Sequence, residues 1–178
     1  RATTPSPVCM PARASFITGM LPHQHHVWGN SGRLPADDPT FFHALQRVGY
    51  RTAHIGKSHY YSNATRGNLL NDEPYMRARG FDYVHEATGP RATLTTDSAV
   101  SEHWKRIGLL ATFREDYEKR LRHEGPLVVR ASPLPWEEFL DSYVGKTAVE
   151  YVERYDEDRP TCVFVGFPGP HEPWDAPE

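Results

Sequence analysis

Apolar positions in this chain recur at two spacings, and their alternation predicts layered helices and strands. Phe41, Leu45 and Val48 fall three to four apart, one face of a helix entered through Asp37-Asp38-Pro39, capped by Thr40 or an Asp, and ended by Gly49. Val144, Ala148, Tyr151 and Val152 repeat the spacing in a second helix, capped at Asp141-Ser142, running through Tyr155 and ended by residues 156–160. Between them, over about residues 95–124, Val100, Trp104, Ile107, Phe113, Tyr117 and Leu121 keep near-helical intervals among many charges; Gly108 and the Leu109-Leu110-Ala111 run weaken the middle. Residues 51–55, 80–84 and 161–167 read instead as strands, the last an apolar run of the kind buried on both faces of a parallel sheet. Helix followed by strand occurs twice, and each strand runs into a polar loop. That is the α/β pattern, with active residues beyond the carboxyl ends of parallel strands.

Two such loops carry chemistry. Gly56-Lys57-Ser58-His59-Tyr60 follows residues 51–55, and in an extended segment Lys57 and His59, two apart, face one site. Pro168-Gly169-Pro170-His171-Glu172-Pro173 leaves the last strand, and its prolines hold the His171 imidazole in a fixed direction, as a preorganised donor must be held. A third stretch lies near the start, Pro7-Val8-Cys9-Met10-Pro11-Ala12-Arg13. Pro11 suits the first turn of a helix that continues to residue 17, which sets Cys9 at or just before its N-terminus. Unpaired N–H groups and the positive end of the helix dipole favour an anion there, and Arg13, four residues on, lies under the same face. A tetrahedral oxyanion ester fits such a place.

Composition narrows the class. With 178 residues, 38% hydrophobic, and a net charge of -3, the chain reads as one soluble globular unit with no pull toward nucleic acid. No apolar run approaches the roughly 20 residues of a membrane span. Cys9 and Cys162 make neither a disulfide framework nor a zinc spacing, and Cys162 reads as a core residue. Pro22-His23-Gln24-His25-His26 has no carboxylate or cysteine to complete a metal site and reads as a polar turn. Residues 95–136 match no motif with a chemistry; such segments are more often surface than substrate entrance. The chain starts at Arg1 and stops shortly after His171-Glu172-Pro173-Trp174, so both ends read as cut and localisation stays open.

The Cys-x-Pro-x-Arg spacing, with its helical run to Thr18-Gly19, then Gly-Lys-x-His, then Pro-His-x-Pro after a strand, together resemble the type I sulfatases of the alkaline phosphatase superfamily. The match departs from the usual Gly-Lys-Trp-His-Leu at Ser58 and Tyr60. The resemblance implies an alkaline-phosphatase-like fold, a mixed, mostly parallel sheet sandwiched by helices. Residues 1–178 would be part of one catalytic domain lacking its first strand and C-terminal part, with about 90–140 a variable insert. It implies a sulfuric ester hydrolase, arylsulfatase-like. Cys9 would be oxidised to formylglycine by a formylglycine-generating enzyme, and the hydrated aldehyde would attack sulfur, release the alcohol, and expel sulfate by returning to the aldehyde. Catalytic roles pass to Cys9, Arg13, Lys57, His59 and His171: Lys57 to the sulfate oxygens, His59 to the formylglycine oxygen, His171 to the sulfate or the leaving oxygen.

The family's cation, Ca2+ or sometimes Mg2+, takes hard oxygen ligands: two adjacent aspartates on the first strand, a downstream Asp-Asn pair, and the formylglycine at Cys9. The first pair would precede Arg1 and the second follow Glu178, as would a second sulfate-binding lysine, so the 178 residues alone are expected to be inactive. Asp37-Asp38 precede a helix in the wrong part of the chain to substitute. The partners implied are a sulfate ester and the maturation enzyme, with no nucleic acid and no membrane span. Three other readings stand beside this one. They are a phosphonate monoester or phosphodiester hydrolase of the same superfamily, a non-catalytic relative binding sulfated glycans, and a thiolate hydrolase, for which Pro11 and Arg13 are not required.

Overall fold

The computed structural model describes residues 1–62, 67–125, 128–155 and 158–177. Along them run α1 (Cys9–Thr18), α2 (Pro22–His25), α3 (Phe41–Arg47), β1 (Arg51–Gly56), α4 (Glu73–Arg77), β2 (Tyr83–Glu86), α5 (Pro90–Thr93), α6 (Ala99–Arg106), α7 (Leu110–Lys119), α8 (Leu140–Arg154) and β3 (Thr161–Gly166). The strands pair in parallel in the order β2-β1-β3, each pair joined by the helical crossover that parallel strands need. Gly56 stands opposite both Glu86 and Gly166, so the carboxyl ends are flush and three loops leave one edge of the sheet.

Side chains alternate across this sheet with the period of two that a strand imposes. Cys162 and Phe164 pack with Met10, Ile17, Phe42 and Phe81 beneath α1 and α3. Ile55, Val163 and Val165 pack on the opposite face with Val100, Trp104, Phe113 and Val144 of α6, α7 and α8. Helices therefore cover both faces, as expected, and burial raises the Cys162 thiol pKa. The described strands are all parallel. No helix among the described residues is long and apolar enough to cross a membrane.

Several expected boundaries move, each for a local reason. β3 is half-buried rather than buried on both faces, because among the described strands it pairs only with β1. β2 begins at Tyr83 instead of residue 80, since Gly80 takes φ +90 and Asp82 is engaged in a turn, its carboxylate accepting the Thr52 N–H at 2.9 Å. The long charged helix is two, broken where Gly108 adopts φ +79; that break turns Ile107 out to solvent, and a π turn over Arg120–Glu124 follows α7. The cap expected at Asp141 falls inside α8, whose N-cap is Phe139. Asp156 and Glu157, expected to help end that helix, lie outside the described residues. Thr40 does cap α3, its hydroxyl accepting from His43 N, and Gly49 follows at φ +91.

Candidate active site

Cys9 opens α1, where the preceding Val8 offers no side-chain cap for the exposed N–H groups. Asn30 supplies one from a distant loop: its Oδ1 accepts the Met10 N–H at 3.0 Å and its Nδ2 lies 3.4 Å from Cys9 Sγ. One turn into α1, Arg13 Nη1 donates to the carbonyls of Lys57 at 3.3 Å and Ser58 at 3.5 Å. These bonds tie the helix that presents Cys9 to the loop that leaves β1. The guanidinium of Arg13, expected among the catalytic residues, is thus anchored to that loop.

Lys57 continues the sheet, its N–H donating to Gly166 O at 2.7 Å, and its side chain is buried. Burial, then the Arg13 charge, lowers the ammonium pKa, against the opposite pull of Cys9 and Glu172. Gly89 makes room for it: a Cβ there would stand 2.9 Å from Lys57 Nζ. His59 does not follow by simple strand alternation, because its backbone turns to φ +55, a left-handed conformation that costs an L-residue roughly 1–2 kcal/mol. Its imidazole still reaches the same cavity as Lys57. Burial first, then the charges of Lys57, Arg13 and His171, lower its pKa to about 4, so the ring is neutral near pH 7. Its Nδ1 is buried without a hydrogen-bond partner.

His171 arrives from the loop after β3. Its Nδ1 lies 2.9 Å from Glu172 O and 3.0 Å from Glu172 Oε2, which fixes the ring's direction. Lys57, His59 and His171 line one cavity of about 620 Å3, together with Asn30, Arg91 and Glu172. Cys9 adjoins it through Asn30, and Arg13 sits behind its Lys57 wall.

The loop holding His171 is braced by the segment that matched no motif, through Tyr117 and Arg120, and by Asp141 of α8. Tyr117 Oη donates to Glu172 O at 3.4 Å, and Asp141 Oδ1 accepts the Gly169 N–H at 3.0 Å. Arg120, 1% exposed, joins Asp116 at 2.6 Å to Asp175 at 3.6 Å. Burial nevertheless pushes the Asp175 carboxyl up to about 6.

Sequence reasoning missed Asn30, Glu86, Gly89, Arg91 and Glu172. Asn30 and Gly89 carry no spacing signal; Glu172 stood inside a quoted motif but only as a spacer. Residues 22–26, expected as a polar turn, instead form the short helix α2 over Pro22–His25, which buries His25 with its Nε2 2.9 Å from Ser15 Oγ. Among the described residues no group of three His, Cys, Asp or Glu could hold a metal ion.

A family model described as Sulfatase matches residues 1–178. A choline-sulfatase of Rhizobium meliloti (strain 1021) is 28% identical over 183 residues, covering 97% of this chain and 31% of that protein. Arylsulfatase K of Xenopus laevis is 38% identical over 111 residues, 60% of this chain and 20% of its own length. The chain thus spans less than a third of these relatives. Among solved structures, the phosphonate monoester hydrolase of Agrobacterium radiobacter superposes with a TM-score of 0.63 at 18% identity, over 98% of this chain and 34% of that one. That likeness shows the fold.

Proposed function

Because this chain belongs to the sulfatase family and has its alkaline-phosphatase-like α/β fold, we propose that the full-length protein hydrolyses a sulfate monoester at the cavity beside Cys9. The observation that carries this is the convergence of Lys57, His59 and His171, from two loops far apart in sequence, on one cavity next to the Cys9 helix terminus. On the same reading, residues 1–178 are part of one catalytic domain and about 90–140 an insert within it.

The ester carries one negative charge, and more gathers on the bridging oxygen as the S–O bond breaks. Lys57 holds the sulfate oxygens, backed by Arg13, whose bonds to the Lys57 and Ser58 carbonyls tie its guanidinium to the same loop. His171 turns Nδ1 to Glu172 and keeps Nε2 for the leaving oxygen. Neutral His59, whose ring lines the same cavity, can exchange a proton with an oxygen at the Cys9 position. Members of this family use a metal ion and formylglycine; an aldehyde at Cys9 supplies a hydrated carbonyl as nucleophile in place of the thiol. Cys9 at the helix terminus, with the Asn30 amide nitrogen 3.4 Å from its sulfur, suits that group. For the cation, Ca2+ or Mg2+, the described residues do not form a site by themselves, Cys9 being the one ligand proposed among them. The chemistry above runs on the chain's own donors.

The test is mass spectrometry of tryptic peptide 2–13 from full-length protein co-expressed with a formylglycine-generating enzyme, alongside sulfate release from an aryl sulfate. Replacement of sulfur by oxygen at Cys9, with sulfate released, is expected. A Cys9 that stays an alkylatable thiol overturns the catalytic reading and moves the glycan-binding one ahead. The likeness to a phosphonate monoester hydrolase favours one second reading; a higher kcat/KM on aryl phosphonate than on aryl sulfate would establish it instead.

A further inference from the structure

Glu86 is the last residue of β2 and stands opposite Gly56, where β1 gives way to the loop carrying Lys57 and His59. Its side chain is buried, at 3% exposure. Both carboxylate oxygens are used: Oε1 accepts from Ser58 Oγ, and Oε2 accepts from Tyr61 Oη at 2.6 Å. Among the described residues the other titratable groups bearing on it are Asp72, Tyr60 and Tyr75, and no cation is among those. Burial pushes its pKa to about 7. A buried carboxylate without a counter-ion is unfavourable and calls for a reason beyond stability.

The placement of its two donors gives one. Ser58 immediately precedes His59, and Tyr61 follows two positions later, so Glu86 grips the loop on both sides of the residue at φ +55. Such a backbone conformation in a non-glycine residue persists only where its surroundings over-determine it. The other ties on this loop are made to its backbone: Lys57 N–H to Gly166 O, Arg13 Nη1 to the Lys57 and Ser58 carbonyls at 3.3 and 3.5 Å, and Leu34 N–H and Tyr75 Oη to Tyr60 O at 2.9 and 3.3 Å.

We propose that Glu86 is a positioning residue, which through Ser58 and Tyr61 holds His59 in its turned conformation and so aims the His59 and Lys57 side chains into the cavity. Its kinetic consequence rests on the sulfatase reading; its structural content does not.

The discriminating variant removes the clasp without leaving a buried polar group unpaired: Ser58→Ala, Tyr61→Phe and Glu86→Leu together, in the full-length, matured protein. Replacing all partners by apolar groups of similar shape is close to neutral for stability. A merely structural role therefore predicts near-normal Tm and near-normal activity. The positioning role predicts a Tm within a few degrees of wild type but kcat lower by about 10- to 100-fold at equal aldehyde content of Cys9, with His59 out of the positive-φ region in a crystal structure of the variant. A folded triple variant with wild-type kcat and KM, or with His59 still near φ +55, overturns the proposal. Should the triple variant fail to fold, Tyr61→Phe alone decides: it lowers Tm by leaving Glu86 Oε2 unpaired, and at temperatures where this variant is folded a fall in kcat supports the clasp while an unchanged kcat overturns it. If wild-type protein releases no sulfate, the sulfatase reading falls, and the conformation of His59 in the variants still judges the clasp.

Discussion

The two loops that bring histidines to the cavity leave the same sheet edge and are held in opposite ways. The loop after β1 is buried and is secured chiefly by its neighbours in the sheet, through the Glu86 carboxylate gripping two hydroxyls and the Lys57 N–H bond to Gly166 O, with Arg13 and Leu34 adding bonds to its carbonyls. The loop after β3 is half-exposed and is secured from outside the sheet, by Tyr117, by Asp141 and by the ionic group around Arg120. The first is fixed by strand register, so its geometry comes with the fold. The second is fixed by residues 116–141, so its geometry depends on how a separate segment packs. A change in that segment can reposition His171 while leaving Lys57 and His59 where they are.

The largest expected effect falls on the first loop. His59→Ala should lower kcat by about 10²- to 10⁴-fold, the usual worth of a placed acid–base group, with little loss of Tm. Because His59 is held neutral down to about pH 4, the acid limb of the wild-type kcat/KM profile should lie near 4 and not near the ordinary 6.5. A limb at 6.5 would show that the loop is not buried as described, which breaks the comparison at its first term.

Next comes Arg120, which has no counterpart in the first loop. Arg120→Met leaves Asp175 buried without its cation, while Asp116 keeps Arg130 at 2.6 Å. Removing one member of a buried ion pair costs about 3–5 kcal/mol, so Tm should fall steeply. The kinetic signature should be a raised KM with kcat less affected, as His171 loosens while Lys57 and His59 stay. An equal fall in kcat, with the variant still folded at the assay temperature, would mean the two loops are coupled.

pH separates the two supports more gently. Glu86 and Asp175 both have carboxyl pKa values raised by burial, to about 7 and about 6. A raised acid binds its proton more tightly in the folded state. The stability each contributes is therefore full below the ordinary values of 4.5 and 3.8, and is lost as pH rises through about 7 and about 6 respectively. His59 has the opposite sign, contributing above 6.5 and losing that contribution as pH falls through about 4. Asp175→Asn should flatten the wild-type decline in Tm between pH 4 and 6 by roughly 1–3 kcal/mol equivalent, leaving the decline up to pH 7 in place. The Glu86→Leu triple variant should do the reverse, and thermal scans across that range distinguish them.

How far the sequence carries follows the same division. α1 with Cys9, α3 with its Thr40 cap, β1 and β3 were readable because local spacing and local chemistry define them. Lys57, His59 and His171 sat in recognisable short motifs, and the cavity joins them. Glu86 and Asn30 were not readable: each acts on a partner 21 to 28 positions away, and that adjacency exists only once the strand order and register are set. The break at Gly108 and the late start of β2 were hidden because a glycine at positive φ interrupts a period that the side chains alone continue.

Asp141 is where a local signal misled, and it gives the smallest effect. Its place before Ser142 reads as a helix cap, yet the carboxylate reaches across to accept the Gly169 N–H at 3.0 Å, tying α8 to the loop that holds His171. The bond is partly exposed, so water competes for both ends and its net worth is about 1 kcal/mol. Asp141→Ala should therefore lower Tm only slightly and raise KM two- to fivefold, with kcat unchanged. Asp141→Asn retains an acceptor oxygen at the same position and should restore KM while lacking the charge. If Asn fails where Asp succeeds, the negative charge near His171 matters and not the geometry of the Gly169 bond. The second loop would then be tuned by electrostatics as well as held by them, whereas the carboxylate that grips the first loop meets only hydroxyl donors.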